Sequence, residues 1–353
     1  MTLGVLTGIS FRSSTEALEF QVTQMWNQGN VEESERLARR ILGRNNDSQR
    51  AYEVLKQVAS HDGKPLTKVA ILMTRPGSSE QLYGRFIQAG DLALQYNYAK
   101  VAEDAWNQAL KLDQNGVLAH NRLVSITALR LDSEKLIELL FDKMSRDGSD
   151  TESLRLLLNC ETLDRDAEEL ARILQNYLHA DTTDEESRKG LARCYISLGR
   201  AEDAIQLWSD VPVSVSSRMI YARALAESGE IDSASRLIEG DQEDQNSAEL
   251  QFLRGLIALQ SREYSEAIKN LRRAVIQRPL NQEMRAYFTD ALRQAGEIEE
   301  NQKQSDLMKV RHQIFRIANN PDTVFDKELI QTLKHHCTAL GAERYVQILE
   351  LDF

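Results

Sequence analysis

The 353-residue chain is short of proline, with five, and of cysteine, with three. Sparse proline leaves long stretches free to run as helix, without the lost N–H and ring clash that break one. The cysteines, Cys160, Cys194 and Cys337, are odd in number and have no CxxC or finger spacing. That argues against a disulfide framework or a zinc finger and for buried thiols in a reducing compartment. No apolar run approaches the roughly 18 residues that a membrane span needs. The opening stretch MTLGVLTGISFRSS lacks the basic n-region and apolar h-region of a signal peptide. A soluble, cytoplasmic protein is expected.

Basic charge is also in deficit, 43 Lys and Arg against 54 Asp and Glu, for a formal net charge of -11. A general nucleic-acid binder needs basic surface to neutralise phosphate, so that class is disfavoured, although a local basic patch remains compatible. There is no Gly-rich phosphate loop, no nucleophile elbow and no HExxH zinc motif, so the sequence supports neither an enzyme nor a cofactor site. His335, His336 and Cys337 are consecutive and on a helix would splay rather than converge on a metal. Acidic pairs such as Glu32-Glu33, Glu168-Glu169 and Glu299-Glu300 fall at helix starts, where the macrodipole accounts for them.

What the sequence does contain is a repeated helical hairpin, plainest between Tyr83 and Gly116. Phe86, Ala89, Gly90 and Ala93 recur at helical spacing, the pattern breaks near Tyr96-Asn97, and Ala102, Ala105, Trp106 and Ala109 resume it. Small residues at Gly90 and Ala102 let two backbones approach, while Trp106 fills the wedge where the next hairpin stacks. One hairpin cannot bury that surface alone, so copies are expected. Stepping by 34 residues from Tyr83 puts unit starts at 15, 49, 83, 117, 151 and 185, with an extension over 1–14. Gly29, Gly63 and Gly199 occupy turns in that run, and Pro65 sits where a helix start tolerates it. After Trp208 the phase slips, and further units start near 215, 248 and 282, giving an array over 15–315. Residues 316–353 read as a degenerate repeat or a C-terminal cap, after the break at Asn319-Asn320-Pro321.

These residues resemble the tetratricopeptide repeat. Gly255, Ala267, Leu271, Ala274 and Pro279 fit its motif, as do Phe86, Gly90, Ala102, Trp106 and Ala109. Gln114 replaces the usual Pro, and Leu136, Leu170 and Lys68 replace the Ala. The resemblance implies an all-α, right-handed superhelical solenoid whose concave groove, lined by the first helix of each hairpin, binds extended peptides or partner helices. By the family's groove positions, Arg155, Asn159, Lys189, Arg193 and Arg223 form a basic floor for an acidic peptide or a C-terminal carboxylate, and Phe252 and Leu256 take an apolar side chain. The family's carboxylate clamp is not matched, because Gly190 stands where its second Asn belongs and Ser216 and Ile220 hold its third position.

The function expected is therefore a protein-interaction scaffold, its partner another protein presenting a peptide or helix. Three other readings stay open. They are a regulatory or assembly subunit of a separately encoded enzyme, a self-associating structural protein, and a helical-repeat RNA binder.

Overall fold

A computed structural model describes residues 16–148, 150–161, 166–239 and 247–351, and the extension over 1–14 expected from sequence lies outside them. Every regular element among the described residues is a helix, and successive helices pair. The first pairs are α1 (16–27) with α2 (Val31–Leu42), α3 (Gln49–His61) with α4 (Pro65–Thr74), and α5 (Ser79–Gln95) with α6 (Ala99–Leu112). Next come α7 (Val117–Leu129) and α8 (Ser133–Asp147), then α9 (Thr151–Asn159), which packs on α8 and on α18, and α10 (Ala167–Ala180), which packs on α11 (Glu185–Ser197), itself followed by its partner α12 (Ala201–Gln206). The series continues with α13 (Arg218–Glu227) and α14 (Ile231–Glu239), then α15 (Ala248–Gln260) and α16 (Tyr264–Gln277). It ends with α17 (Gln282–Ala295) and the long α18 (Ile298–Asn319), then α19 (Lys327–Leu340) and α20 (Glu343–Leu349).

Local chemistry sets the two ends of each pair differently. Most first helices start on side-chain caps: Ser48, Asp150, Asp184, Ser247, Asn281 and Asp326 each accept from a backbone N–H of the first turn, and Ser78 and Gln81 form a capping box. Asp132 and Asp166 cap the second helices α8 and α10 by the same bond, whereas α13 has no side-chain cap. In nine of the described turns between successive helices, one residue sits in the left-handed region. That residue is Gly29, Gly63, Asn97, Leu131, Gly199, Gly229, Arg262, Gly296 or Gly341. The residue after it donates its N–H five residues back, as from Tyr98 to Ala93 O at 2.9 Å and from Glu263 to Ala258 O at 2.8 Å. This is the bond of a Schellman turn, which satisfies a carbonyl that the helix end leaves open. Its recurrence makes the pairs variants of one structural unit.

Packing inside a pair repeats as well. The Trp106 indole lies on Gly90, and Leu271 lies on Gly255, the same separation along the chain in both cases. By contacts the chain divides into two compact units, one ending at Leu123 and the other beginning at Val124, within α7. In the first, Val22, Leu37, Ile41, Val54, Leu55 and Val58 form a core among α1 to α3.

Three cores can be traced among the described residues of the second unit. Ala222, Leu225, Leu250, Leu253 and Leu256 form one, and Phe252, Leu271, Met284, Phe288 and Leu292 another. The third joins segments far apart in sequence: Leu136, Leu140, Met144, Leu154 and Leu157 of α8 and α9 pack with Ile314, Phe325, Leu333, Leu340, Tyr345 and Ile348 of the C-terminal segment. In an open solenoid each repeat touches only its neighbours, so this contact closes the second unit on itself.

Candidate partner-binding face

The face expected to bind a partner runs over the first helices α9, α11, α13 and α15. Each of the seven residues expected there is placed by a specific contact.

Arg155, on α9, is half-buried against the C-terminal end of α18. Its Nη1 donates to Ala318 O at 3.2 Å and to Asn320 O, and its Nη2 to Pro321 O at 3.0 Å and Thr323 O at 2.6 Å. The planar guanidinium matches this spread of acceptors, and its charge suits the negative end of a helix dipole. The ring of Phe325 lies 5.4 Å beneath it. Asn159, one turn on, donates to Asn319 Oδ1 at 3.5 Å.

On α11, Lys189 pairs with Glu186 at 2.8 Å. Arg193 donates to Arg130 O at 3.2 Å, at the end of α7, and lies 3.6 Å from Asp132. Here too an arginine closes the end of a helix that is not its neighbour in sequence. Gly190 lies on the same contact, and a Cβ there would fall 3.0 Å from the Arg130 Cα. That close approach is a packing reason for the glycine. Beneath it, Arg130 and Asp184 form an ion pair at 3.2 Å with side chains 3% and 1% exposed, and Ser187 bonds to both.

Arg223, on α13, bonds to Glu283 of α17, contacts Glu227 at 4.0 Å and stacks 5.3 Å above the Phe252 ring. Burial works against its cation, but Glu283, Glu249 and Glu227 outweigh that and hold its pKa above the usual value. Tyr287 packs on the edge of Phe252 and donates to Glu227 at 3.3 Å. Phe252 and Leu256 are consequently buried, at 1% exposure each. The structure thus brings Arg223 and Phe252 together, and it separates Arg155 and Asn159 from them by tying both to the C-terminal segment.

Residues that sequence pattern did not single out make the other long-range ties. Arg278 Nε donates to the buried Glu161 at 2.6 Å and its Nη2 to Ser133 Oγ at 3.0 Å. Arg344 pairs with Glu138 at 2.7 Å and lies 4.2 Å over the Phe141 ring. Desolvation brings the buried guanidinium groups of Arg285 and Arg311 down to about 10. A signal was present for Asp184, which stands at a cap position; the partners of Arg278 and Arg344 left none.

A cavity of about 490 Å³ lies in the second unit between α8, the end of α16 and the α19–α20 turn. Ile137, Phe141, Arg278, Arg344 and Tyr345 contribute to its wall. Cys160, Cys194 and Cys337 are buried thiols; desolvation raises Cys160 strongly, Cys194 to about 11 and Cys337 to about 12. Among the described residues, no group of three or more His, Cys, Asp and Glu is placed to hold a metal ion. No described helix is long and apolar enough to cross a membrane.

No family model matches the sequence, and no curated protein matches it. Solved structures do. One is a tetratricopeptide repeat protein from Parabacteroides merdae, at 17% identity over 68% of this chain and 98% of that one, with a TM-score of 0.33. The APC/C hetero-tetramer Cut9-Hcn1 is similar at 9% identity over 99% of both chains, with a TM-score of 0.37. The P58(IPK) TPR domain is similar at 16% identity over 94% of this chain and 99% of that one, with a TM-score of 0.29. At these TM-scores the superpositions add nothing to the hairpin geometry itself. The described helices form an all-α series of helical hairpins, consistent with a tetratricopeptide repeat protein.

Proposed function

We propose that this chain is a protein-interaction scaffold that takes a partner segment along the first-helix faces of α9, α11, α13 and α15 and performs no chemistry of its own. Of the seven residues expected there, Lys189, Arg193 and Arg223 line that face in this reading, while Arg155 and Asn159 are engaged by the C-terminal segment and Phe252 and Leu256 are buried behind Arg223. The observation that carries it is that Lys189, Arg193 and Arg223, on the consecutive first helices α11 and α13, each hold a carboxylate.

Energetics divide the seven residues. Arg155 and Asn159 are spent on the C-terminal segment, and Phe252 and Leu256 form the wall behind Arg223. Lys189 and Arg223 pair with Glu186 and Glu283, whose side chains are 36% and 46% exposed. The cations themselves are only 11% and 15% exposed, so each pair sits at the rim of the face with its Glu outward, and a partner carboxylate takes the place of that Glu while the cation stays seated. An acidic partner segment therefore engages Lys189, Arg193 and Arg223.

Affinity capture from the native source, followed by mass spectrometry, supplies the partner. Its affinity for the wild-type chain is then compared with that for an Arg193→Gln, Arg223→Gln variant whose helicity is unchanged by circular dichroism. Binding at least tenfold weaker is expected, and equal binding rejects the reading.

A further inference from the structure

The cavity of about 490 Å³ lies along the seam between α8 and the α19–α20 turn, closed at one side by the end of α16. Its walls belong to the core. Phe141 and Tyr345 meet edge to face at 5.5 Å, and with Ala342 they are packed into the cluster that Leu333, Leu340 and Ile348 share with α8 and α9. A space of this size is within the range of small-molecule sites, and walls fixed by the core form it before any ligand arrives. Ile276 also lines it and is 68% exposed, which puts that side chain at the opening.

Charge around the wall favours one sign. The carboxylates Glu134, Glu138 and Glu343 line the cavity together with the guanidinium groups of Arg278 and Arg344. Arg278 is already neutralised from outside the lining by Glu161, whose side chain is 2% exposed, and Arg344 is matched by Glu138. The balance left to a ligand is acidic. Among the described residues no three acidic, imidazole or thiol side chains are placed to hold a metal ion, so these carboxylates are spread around the wall and not gathered at a point. Spread negative charge beside aromatic rings suits an organic cation, which pairs with a carboxylate at its head and lays its stem on the ring faces. The wall already holds one group of this kind. The Arg344 guanidinium lies 4.2 Å over the Phe141 ring while it pairs with Glu138 at 2.7 Å.

We infer that this cavity is a binding site for a small organic cation, a guanidinium or primary ammonium group on a short alkyl stem, with Glu134 and Glu343 taking the charge and the Phe141–Tyr345 wall taking the stem. The site is separate from the first-helix face of α11 and α13 and does not depend on its reading. A free amine and the Lys or Arg side chain of a bound protein share this chemistry, and the occupant assigned is the free amine, because the space is bounded by core residues on several sides.

Titration calorimetry of the full chain with agmatine at low ionic strength tests the site. Saturable binding of one equivalent is expected. It should weaken at least tenfold in Glu343→Lys, a change at an exposed position, and in Ile276→Trp, which fills the opening from an exposed position. Circular dichroism checks that both variants keep wild-type helicity. Glutarate, an anion of similar length, should not bind. Absence of agmatine binding at millimolar concentration, affinity unchanged in either folded variant, or glutarate binding as tightly as agmatine overturns the site. Acetyl-arginine amide, which carries the same head group on a peptide backbone, distinguishes the sources: binding tenfold tighter than that of agmatine overturns the free-amine assignment.

Discussion

Gly90 and Trp106 are in direct contact across the α5–α6 pair, and a Cβ on Gly90 would lie 2.3 Å from the indole Nε1. Two effects of Gly90→Ala oppose each other. Alanine favours a helix interior over glycine by about 1 kcal/mol. Against that, Trp106 is fully buried and cannot swing away, and overpacking costs about 1–3 kcal/mol. The clash wins on balance, so Gly90→Ala should lower stability in urea unfolding, and Gly255→Ala, set against Leu271, should do the same.

Arg262 supplies the opposite case. It is exposed, and it holds a left-handed φ of 63° at a turn where most pairs have glycine. An L-residue there costs roughly 1–2 kcal/mol that glycine avoids. Arg262→Gly should therefore stabilise the chain by about 1 kcal/mol after allowance for glycine's greater unfolded-state entropy, read as a higher urea midpoint with an unchanged m-value.

The all-α hairpin fold was legible because its determinants are local. Gly29, Gly63, Gly199, Gly229, Gly296 and Gly341 mark turns by residue type alone, and Gly90 facing Trp106 marks close packing between two helices. Leu131 and Arg262 hold the same turn conformation without advertising it. The candidate face was harder to read. A 3.6-residue pattern says which side of α9 Arg155 lies on, but not that residues 318–323, some 165 positions away, come to sit there. Arg193 is hidden for the same reason, since its acceptor on Arg130 lies 63 positions away. Burial of Phe252 depends on Arg223 and Tyr287 reaching over it from two other helices. Local pattern carries no record of such docking.

Arg130 and Asp184 offer a test of how the second unit is held. Removing one member of a buried pair strands the other charge and costs about 3–5 kcal/mol, whereas replacing both with apolar residues is often near neutral. Asp184→Ala should be severely destabilising by urea unfolding, and it also removes the cap of α11. Arg130→Met with Asp184→Leu should recover most of that loss, the cap excepted.

The Arg344–Glu138 pair should respond to acid. The hydrogen bond from Arg344 holds Glu138 below its ordinary 4.5, against the opposing effect of burial and with help from the Arg344 and Arg278 charges. Glu134 and Glu343 also line this seam. A depressed carboxylate contributes stability that is complete above its unfolded pKa and lost as pH falls through its folded one. The thermal midpoint of the wild type should exceed that of Glu138→Gln near neutrality, and the gap should close as pH drops below about 4.

Under the proposed function, partner segments are held by Lys189, Arg193 and Arg223 of the middle hairpins. Its most direct test is the affinity of the captured partner for wild-type and Arg193→Gln, Arg223→Gln chains, measured by titration calorimetry on folded protein. The variant should bind at least tenfold more weakly than the wild type; equal affinity rules the proposed face out.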